Sequence, residues 1–315
     1  MIAGGDKLSL LAPAKVNLFL DVLGKRPDGF HELRSLVVPI SLCDELAFER
    51  TEGPIEVFCD PDGVPSDTGV LLPESNDNLA ARAARLVQEE AGQKGGVRIR
   101  IKKAIPVGGG LGGGSADAAA ALRGVNSLWK TGLSLDRLME LGARLGSDIP
   151  ALVWGKAVCM EGRGECLSDV RTAWGPGVEW WLVVVNPGFS VPTRDVYRRF
   201  RSGLTSPGET FKNARFALEK GDVALAAGSL YNALEEPVFA KYPLLQMLSE
   251  RLKAAGALGV LLSGSGASLF ALAGGHGQAL DIQEKMQCAT GSWLWSRAAQ
   301  VLPDGVIGST RPFGG

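Results

Sequence analysis

The sequence predicts an α+β protein of two domains, for three reasons visible along its 315 residues. Apolar and polar residues alternate from Leu8 to about Phe58, which is typical of strands with one buried face. Six glycines fall within residues 108–114 and lead into an alanine-rich run, which predicts a loop that opens a helix. A turn-rich stretch near 155–180 precedes a new apolar strand, so we place the domains at 1–165 and 166–315.

The remaining elements follow from the hydrophobic periodicity. Turn residues fill the region 60–77, and Asn78 is a suitable N-cap for a helix over residues 79–91. Apolar and basic residues alternate over 97–102, which predicts a half-exposed antiparallel strand. Further elements are expected in this order: helices around 116–129 and 135–145, a strand over 181–185, helices to about Gly256, and two strands flanking a second glycine turn.

The overall composition is that of an ordinary globular protein, with 45% hydrophobic and 21% charged residues. A formal net charge of −1 provides no field that attracts nucleic acid or an anionic membrane, so any positive site must be local. The apolar runs are too short to span a bilayer and the first residues lack a secretion-signal layout, so we expect a cytoplasmic protein without nucleic-acid or membrane partners. Five scattered cysteines and two histidines predict reduced thiols and argue against a Cys/His metal site.

The glycine run is the strongest chemical signal. Without Cβ atoms, consecutive N–H groups can wrap around an anion, and a helix starting there adds the positive end of its dipole. A Walker A loop needs a lysine where Ser115 follows the last glycine, so that loop type is excluded. Gly108, Gly110 and Gly113 match the dinucleotide fingerprint G-x-G-x-x-G, but the alternating strand before them and Asp136 at a helix start do not fit that fold.

A third kind of loop fits the run. Proline, a few small residues and then GLGGGSA resemble the ATP loop of the GHMP kinase superfamily, which includes galactokinase, homoserine kinase and mevalonate kinase. The doubled glycine triplet is most similar to the 4-diphosphocytidyl-2-C-methylerythritol kinase branch. The resemblance implies that ATP binds at Pro106, Val107, Gly108, Gly109, Gly110, Leu111, Gly112, Gly113, Gly114, Ser115 and Ala116.

A second motif lies near the N-terminus, where Lys15 interrupts an apolar strand. The strand alone permits a lysine that protects a sheet edge. Residues 13–20 and 24–32 also resemble the PAKINLFL and GRRxDGYHE signatures of the same branch, with Phe30 in place of the usual tyrosine. The resemblance implies that Lys15 lies beside the catalytic aspartate, that His31 hydrogen-bonds the cytosine edge, and that Phe30 stacks on its ring. The substrate-binding residues implied in this way are Asn17, Phe30, His31 and Phe189, the last in a segment whose aromatic covers the other cytosine face.

A third motif surrounds Asp148, which lies at a predicted helix-to-strand junction. An aspartate in an ordinary turn is one interpretation. Residues 146–152 also resemble the GSDIPFF segment of GHMP kinases, which implies that Asp148 accepts the proton of the substrate hydroxyl while Lys15 keeps the carboxylate ionised. By the same resemblance Mg²⁺ bridges the ATP phosphates, with Ser115 as either a hydroxyl near the ion or a plain helix N-cap.

A fourth motif, residues 259–270, is either a β-hairpin with a Gly-Ser-Gly turn or the glycine loop that lines the phosphate side of the cleft in GHMP kinases. Residues 232–237 are similar to the NDLE segment of the branch, but Ala233 replaces the acid. A role for that acid is therefore not expected in this chain.

The resemblance implies a GHMP kinase fold with an N-terminal ATP-loop domain, a C-terminal ferredoxin-like domain and a basic-lined active cleft between them. The expected reaction is ATP-dependent phosphorylation of the 2-hydroxyl of 4-diphosphocytidyl-2-C-methyl-D-erythritol, in a monomer or weak homodimer whose ligands are ATP, Mg²⁺ and this cytidine diphosphate substrate. The alternatives are another GHMP kinase acting on a sugar, homoserine or mevalonate-type alcohol, a non-catalytic binding relative, or a dinucleotide-binding oxidoreductase. Retention of both Lys15 and Asp148 favours catalysis.

Overall fold

The computed structural model describes residues 6–61, 63–64, 77–200 and 208–305, and within these ranges eleven strands form two sheets. The strands are β1 (Lys7–Lys25), β2 (His31–Thr51), β3 (Glu56–Asp60), β4 (Gly96–Lys102), β5 (Val158–Gly162), β6 (Cys166–Asp169), β7 (Trp181–Asn186), β8 (Tyr231–Asn232), β9 (Gly259–Leu262), β10 (Leu269–Ala273) and β11 (Trp295–Gln300). The helices are α1 (Leu79–Ala91), α2 (Gly113–Trp129), α3 (Leu135–Ala143), α4 (Ile149–Trp154), α5 (Thr193–Arg199), α6 (Gly208–Lys220), α7 (Val223–Gly228), α8 (Glu235–Lys241), α9 (Pro243–Ala254) and α10 (His276–Thr290). Across the described ranges, none of these helices is both long and apolar enough to cross a membrane.

The first sheet is built on a long antiparallel hairpin of β1 and β2. Its strand order is β3-β4-β2-β1-β8, and β5 pairs with both β2 and β6. The pairing of β1 with β2 shifts register between Pro13 and Lys15, and again between Asn17 and Phe19. Such irregularities bend a strand and redirect its side chains, so they set the directions of Lys15 and Asn17.

Most predicted elements of the first half are confirmed. Helix α1 follows Asn78, whose side-chain oxygen accepts a hydrogen bond from the Ala80 N–H at 2.9 Å. Strand β4 is half-exposed and antiparallel to β2, but it also runs parallel to β3, because helix α1 carries the chain back between these two strands. Helix α2 starts at Gly113, three residues before the predicted start, because Gly112 with a φ of 74° forms its N-cap.

The structure contradicts two interpretations of the sequence, the strand predicted after Asp148 and the sheet-edge role considered for Lys15. Asp148 directly precedes the short helix α4, not a strand, because Pro150 lies in the first turn, where its missing N–H is not needed. The next strand, β5, begins only at Val158. Lys15 is 4% exposed, so it is not an edge-protecting lysine.

The second sheet has the order β11-β7-β10-β9, and all its neighbouring strands are antiparallel. Helices α5 to α9 lie between its first two strands in the sequence, and α10 connects the last two. This order and these connections are the ferredoxin-like arrangement expected for the C-terminal half. Strand β7 is confirmed within one residue, and its continuous apolar run is explained by burial on both faces.

The two faces of the second sheet pack on different cores. Leu182 and Val184 of β7 belong to the larger core, which also includes the first sheet and helices α1 and α2. Val183 and Val185 belong to a second core with helices α9 and α10. The chain crosses between the sheets more than once, since β8 pairs with β1 and β6 belongs to the first sheet. The domain division at residue 165 stays a prediction.

Candidate active site

A cleft of about 1530 Å³ brings together residues from all four motifs, although they are up to 250 positions apart in the sequence. Of the predicted site residues, those that line it are Lys15, Asn17, Phe30, His31, Gly108, Gly110, Gly112, Ser115 and Asp148. The second glycine turn contributes Gly264 and Ser265. The predicted loop residues outside this lining are Pro106, Val107, Gly109, Leu111, Gly113, Gly114 and Ala116.

The glycine loop, residues 106–115, is held to the rest of the protein through its carbonyl oxygens. Three consecutive carbonyls accept hydrogen bonds at 3.0 Å: Gly109 O from the Ser268 N–H, Gly110 O from the Ser263 hydroxyl, and Leu111 O from the Lys15 N–H. With these carbonyls engaged, the N–H groups of the loop are the polar backbone groups available to an anion. The start of α2 adds unsatisfied N–H groups and the positive end of its dipole.

Gly110 and Gly112 illustrate why the loop is rich in glycine. Gly110 has a φ of 78°, and a Cβ placed on it would lie 2.1 Å from the carbonyl oxygen of Ser263. Gly112 has a φ of 74°, and its Cβ would lie 3.2 Å from Cγ of Lys15. A side chain at Gly110 would push the loop away from the backbone that holds it, and one at Gly112 would crowd the side chain of Lys15.

Lys15 is the central charged residue of the cleft. Its ammonium donates a hydrogen bond to Oδ1 of Asn17 at 2.7 Å and lies 3.5 Å from Oδ2 of Asp148. Asn17 in turn donates to the Ser35 hydroxyl at 2.7 Å, and that hydroxyl donates to the Phe19 carbonyl at 2.8 Å. This chain of hydrogen bonds fixes the direction of the lysine side chain.

Asp148 is more accessible than its partner. Its side chain is 36% exposed, whereas that of Lys15 is 5% exposed. Asp148 occupies the N-cap position of α4, yet within the described structure its carboxylate makes no capping hydrogen bond. The carboxylate therefore faces the cleft, with a buried ammonium beside it.

A buried charged cluster joins the two ends of the glycine loop. Lys103, just before the loop, donates hydrogen bonds to Asp44 of β2 and, at 2.7 Å, to Asp117 of α2. Asp44 also accepts from the N–H groups of Ala104 at 2.6 Å and Ile105 at 2.9 Å. Burial raises the pKa of Asp117 to about 7, an effect that the Lys103 ammonium opposes and the nearby Asp44 carboxylate reinforces. The cluster fixes the entry and exit of an otherwise glycine-rich segment.

The opposite end of the cleft is aromatic. The ring of His31 stacks on Tyr197 with centroids 4.9 Å apart, and the Arg163 guanidinium carbon lies 3.7 Å above the centre of the Phe30 ring. Burial, together with the charge of Lys25, lowers the pKa of His31, so its ring is neutral near pH 7. Burial, with a contribution from the charge of Asp148, raises the pKa of Tyr197.

The structure does not bring Phe189 to the cleft. Its ring stacks on Tyr242 with centroids 5.5 Å apart and packs against the second core. The cleft aromatic from this part of the chain is Tyr197, which the sequence reasoning missed. Thr193 and Tyr197 both line the cleft, and their spacing of four residues on α5 is the signal that could have found it.

The second glycine turn is a β-hairpin between β9 and β10 that also contacts the glycine loop. Asn232 holds it by donating to the carbonyls of Leu262 at 2.9 Å and Gly264 at 2.7 Å. The Glu235 carboxylate accepts a hydrogen bond from the Leu262 N–H at 2.9 Å. The segment similar to NDLE therefore has an anchoring role that does not need an acid at Ala233.

The cleft carries a local excess of positive charge despite the overall charge of −1. Five basic side chains line it against two acidic ones. The basic residues are Lys15, Lys25, Arg163, Arg194 and Arg198, and the acidic residues are Asp28 and Asp148. A ligand with several negative charges suits this lining.

Comparison with known proteins agrees with the geometry. The family of GHMP kinases N terminal domains matches residues 78–156, and the family of GHMP kinases C terminal domains matches residues 215–292. A 4-diphosphocytidyl-2-C-methyl-D-erythritol kinase of Pelotomaculum thermopropionicum is 44% identical over 266 residues, which are 84% of this chain and 88% of that protein.

Solved structures give the same result. The crystal structure of a 4-(cytidine 5′-diphospho)-2C-methyl-D-erythritol kinase superposes with a TM-score of 0.75 at 36% identity, over 93% of this chain and 99% of that one. A homoserine kinase from Cytophaga hutchinsonii shares the fold, with a TM-score of 0.74 at 19% identity over 96% of each chain. With its ATP-loop motif, its ferredoxin-like second sheet and these relatives, the chain belongs to the 4-diphosphocytidyl-2-C-methyl-D-erythritol kinase family of GHMP small-molecule kinases.

Proposed function

We propose that the chain transfers the γ-phosphoryl group of ATP to the 2-hydroxyl of 4-diphosphocytidyl-2-C-methyl-D-erythritol, a step of isoprenoid precursor synthesis. The observation that carries the proposal is the double contact of Lys15. Its backbone N–H binds Leu111 O of the glycine loop at 3.0 Å, and its ammonium lies 3.5 Å from the Asp148 carboxylate. One residue thus connects a phosphate-binding loop to a general base.

The glycine loop would hold the donor. Its free N–H groups and the start of α2 suit the phosphates of ATP. Mg²⁺ is a proposed companion of ATP, and the residues fit it, because this ion keeps several waters and needs few protein ligands beside the phosphates. The Ser115 hydroxyl, in the first turn of α2 and on the cleft wall, is the proposed ligand. When bound, the ion would offset negative charge on the phosphates.

Asp148 and Lys15 would act on the acceptor. Asp148 accepts the proton of the attacking hydroxyl, the acceptor oxygen forms its bond to the γ-phosphorus, and the bond to ADP breaks. Lys15 stabilises the ionised carboxylate and the charge that develops on the attacking oxygen. Asn17 fixes the lysine through the 2.7 Å hydrogen bond, so the pair is positioned before substrate arrives.

The aromatic end would bind the cytosine. His31, neutral near pH 7, can hydrogen-bond the base edge, and the rings of Phe30 and Tyr197 offer apolar faces for stacking. The assignment of Phe189 to this base is not supported by its position on Tyr242. A cytoplasmic location and a monomeric or weakly dimeric state remain predictions.

The test is a comparison of acceptors with the purified protein and ATP. We expect phosphorylation of 4-diphosphocytidyl-2-C-methyl-D-erythritol with a kcat/KM far above that of mevalonate, homoserine or galactose. A preference for one of those alcohols would overturn the proposal.

The role of Asp148 is tested by Asp148→Asn. The amide keeps the shape of the carboxylate but cannot take a proton, so kcat should fall about 10²- to 10⁴-fold while ATP still binds. ATP affinity is measured by calorimetry on the same variant. Turnover near that of the wild type would refute the assigned base.

A further inference from the structure

Arg163 lies in a turn that none of the four motifs includes. It follows β5 in the sequence Gly162-Arg163-Gly164-Glu165, and its two glycine neighbours have φ angles of 74° and 117°. A Cβ on Gly164 would lie 2.5 Å from the carbonyl oxygen of Ser147. The turn therefore packs closely against the residue that precedes Asp148, at the catalytic end of the cleft.

The same turn also reaches the aromatic end. The Arg163 guanidinium carbon lies 3.7 Å above the centre of the Phe30 ring. Glu165 lies 3.9 Å from Arg26, which belongs to the turn that carries Phe30. Pairing of β5 with β2 places Gly162 opposite Leu33, two residues after His31. Arg163 thus lies beside the path that joins the two ends of the cleft.

The stacking leaves the charge of Arg163 available. A cation–π contact uses none of the guanidinium hydrogen-bond donors, so these N–H groups can still bind an anion. Among the described residues, the Arg163 side chain contacts the Phe30 ring and forms no ion pair with a carboxylate. The nearby Glu165 carboxylate accepts a hydrogen bond from the backbone N–H of Arg163 at 2.5 Å and does not bind its guanidinium. The guanidinium is therefore held in place by Phe30 without being neutralised.

We propose that Arg163 is a specificity-determining residue that binds the diphosphate of the acceptor. The inference rests on the proposed function, in which the base lies at Phe30 and His31 and the reacting hydroxyl at Asp148. The diphosphate of such a substrate lies between these ends, where the turn of Arg163 bridges them. A fork of N–H donors is suited to two phosphate oxygens at once.

The experiment measures binding of cytidine, cytidine 5′-monophosphate and cytidine 5′-diphosphate by calorimetry, without turnover. Arg163→Met keeps an apolar chain over Phe30 but removes the charge, and Arg163→Lys keeps the charge but removes the fork. We expect Arg163→Met to weaken cytidine 5′-diphosphate binding about 10- to 100-fold, the range for hydrogen bonds to charged groups, with cytidine changed less than about twofold. The affinity of Arg163→Lys for cytidine 5′-diphosphate should lie between those of the wild type and Arg163→Met. The matched control is Arg171→Met, an exposed arginine outside the cleft, which should bind all three ligands as the wild type does.

Turnover provides a second readout. In Arg163→Met the KM for the acceptor should rise by a similar factor, while the KM for ATP and kcat stay within about threefold. If Arg163→Met loses equal affinity for cytidine and cytidine 5′-diphosphate, or loses affinity for neither, the role of Arg163 is overturned. Binding of the diphosphate by the wild type would then still support the proposed function. Failure of the wild type to bind any of the three ligands would instead overturn the proposed function, and this inference with it.

Discussion

Replacement of Gly110 by alanine is the sharpest test of the glycine loop. Its φ of 78° lies in the left-handed region, which costs a residue with a Cβ about 1–2 kcal/mol. The added Cβ would lie 2.1 Å from the Ser263 carbonyl oxygen and 3.1 Å from the backbone of Gly266, and neither is a side chain that can rotate away. The loop must therefore move by about 1 Å, a displacement that can reduce catalysis about 100-fold.

The assay is steady-state kinetics with ATP varied at saturating acceptor, accompanied by thermal unfolding. We expect kcat/KM for ATP to fall about 100-fold in Gly110→Ala while the protein stays folded. Gly277→Ala is the control, because nothing lies within 4 Å of its Cβ in helix α10 and its φ is not left-handed. That variant should keep its activity and gain up to about 1 kcal/mol of stability. If Gly110→Ala stays within about threefold of the wild type, the loop does not hold ATP in the manner described.

Two further predictions concern titratable groups. Asp44→Asn should lower the free energy of unfolding by about 3–5 kcal/mol, since it removes the carboxylate that pairs with Lys103 and also accepts two backbone N–H groups. Asp117→Asn should cost less at pH 8, because Asp44 still pairs with Lys103 and the raised pKa of Asp117 shows that burial disfavours its charge. Because the pKa of Asp117 is raised from 3.8 to about 7, the folded protein keeps this proton over a pH range in which the unfolded chain has lost it. The wild type should therefore lose stability as the pH rises from about 4 to about 7, and denaturant titrations of Asp117→Asn should not show this loss. A larger loss in Asp117→Asn than in Asp44→Asn would contradict this account. The lowered pKa of His31 predicts an acceptor KM that is constant above pH 6.5 and rises only below it, and Lys25→Ala should move that rise to higher pH. An unchanged profile in Lys25→Ala would show that its charge does not act on His31.

Local signals in the sequence were sufficient for much of the fold. Three elements were predicted from residues close together in the sequence, and all three are confirmed. The signals were the cap at Asn78, the alternation in β4 and the apolar run of β7. The four motifs also led to Lys15, His31 and Asp148, which do meet in one cleft.

Where the structure differs from the predictions, hydrophobic periodicity alone could not have decided the outcome. The apolar run after Asp148 is a helix because Pro150 suits a first turn, and periodicity over six residues cannot separate these states. Phe189 and Tyr197 are both aromatic residues of one segment, and nothing in the sequence shows that Phe189 stacks on Tyr242 while Tyr197 lines the cleft. The pairing of β3 with β4 depends on the path of α1, which no local pattern encodes.

The separation of the cleft into two ends has a consequence for how such enzymes diverge. The glycine loop is braced by β1 and the β9–β10 turn, whereas the aromatic end is built from the turn before β2, the β5–β6 turn and α5. Substitutions in the second group can change the alcohol that is accepted without disturbing the braces of the first. A homoserine kinase with 19% identity shares this fold. If the proposed function holds, the turns of the aromatic end are where directed evolution toward a new alcohol should begin.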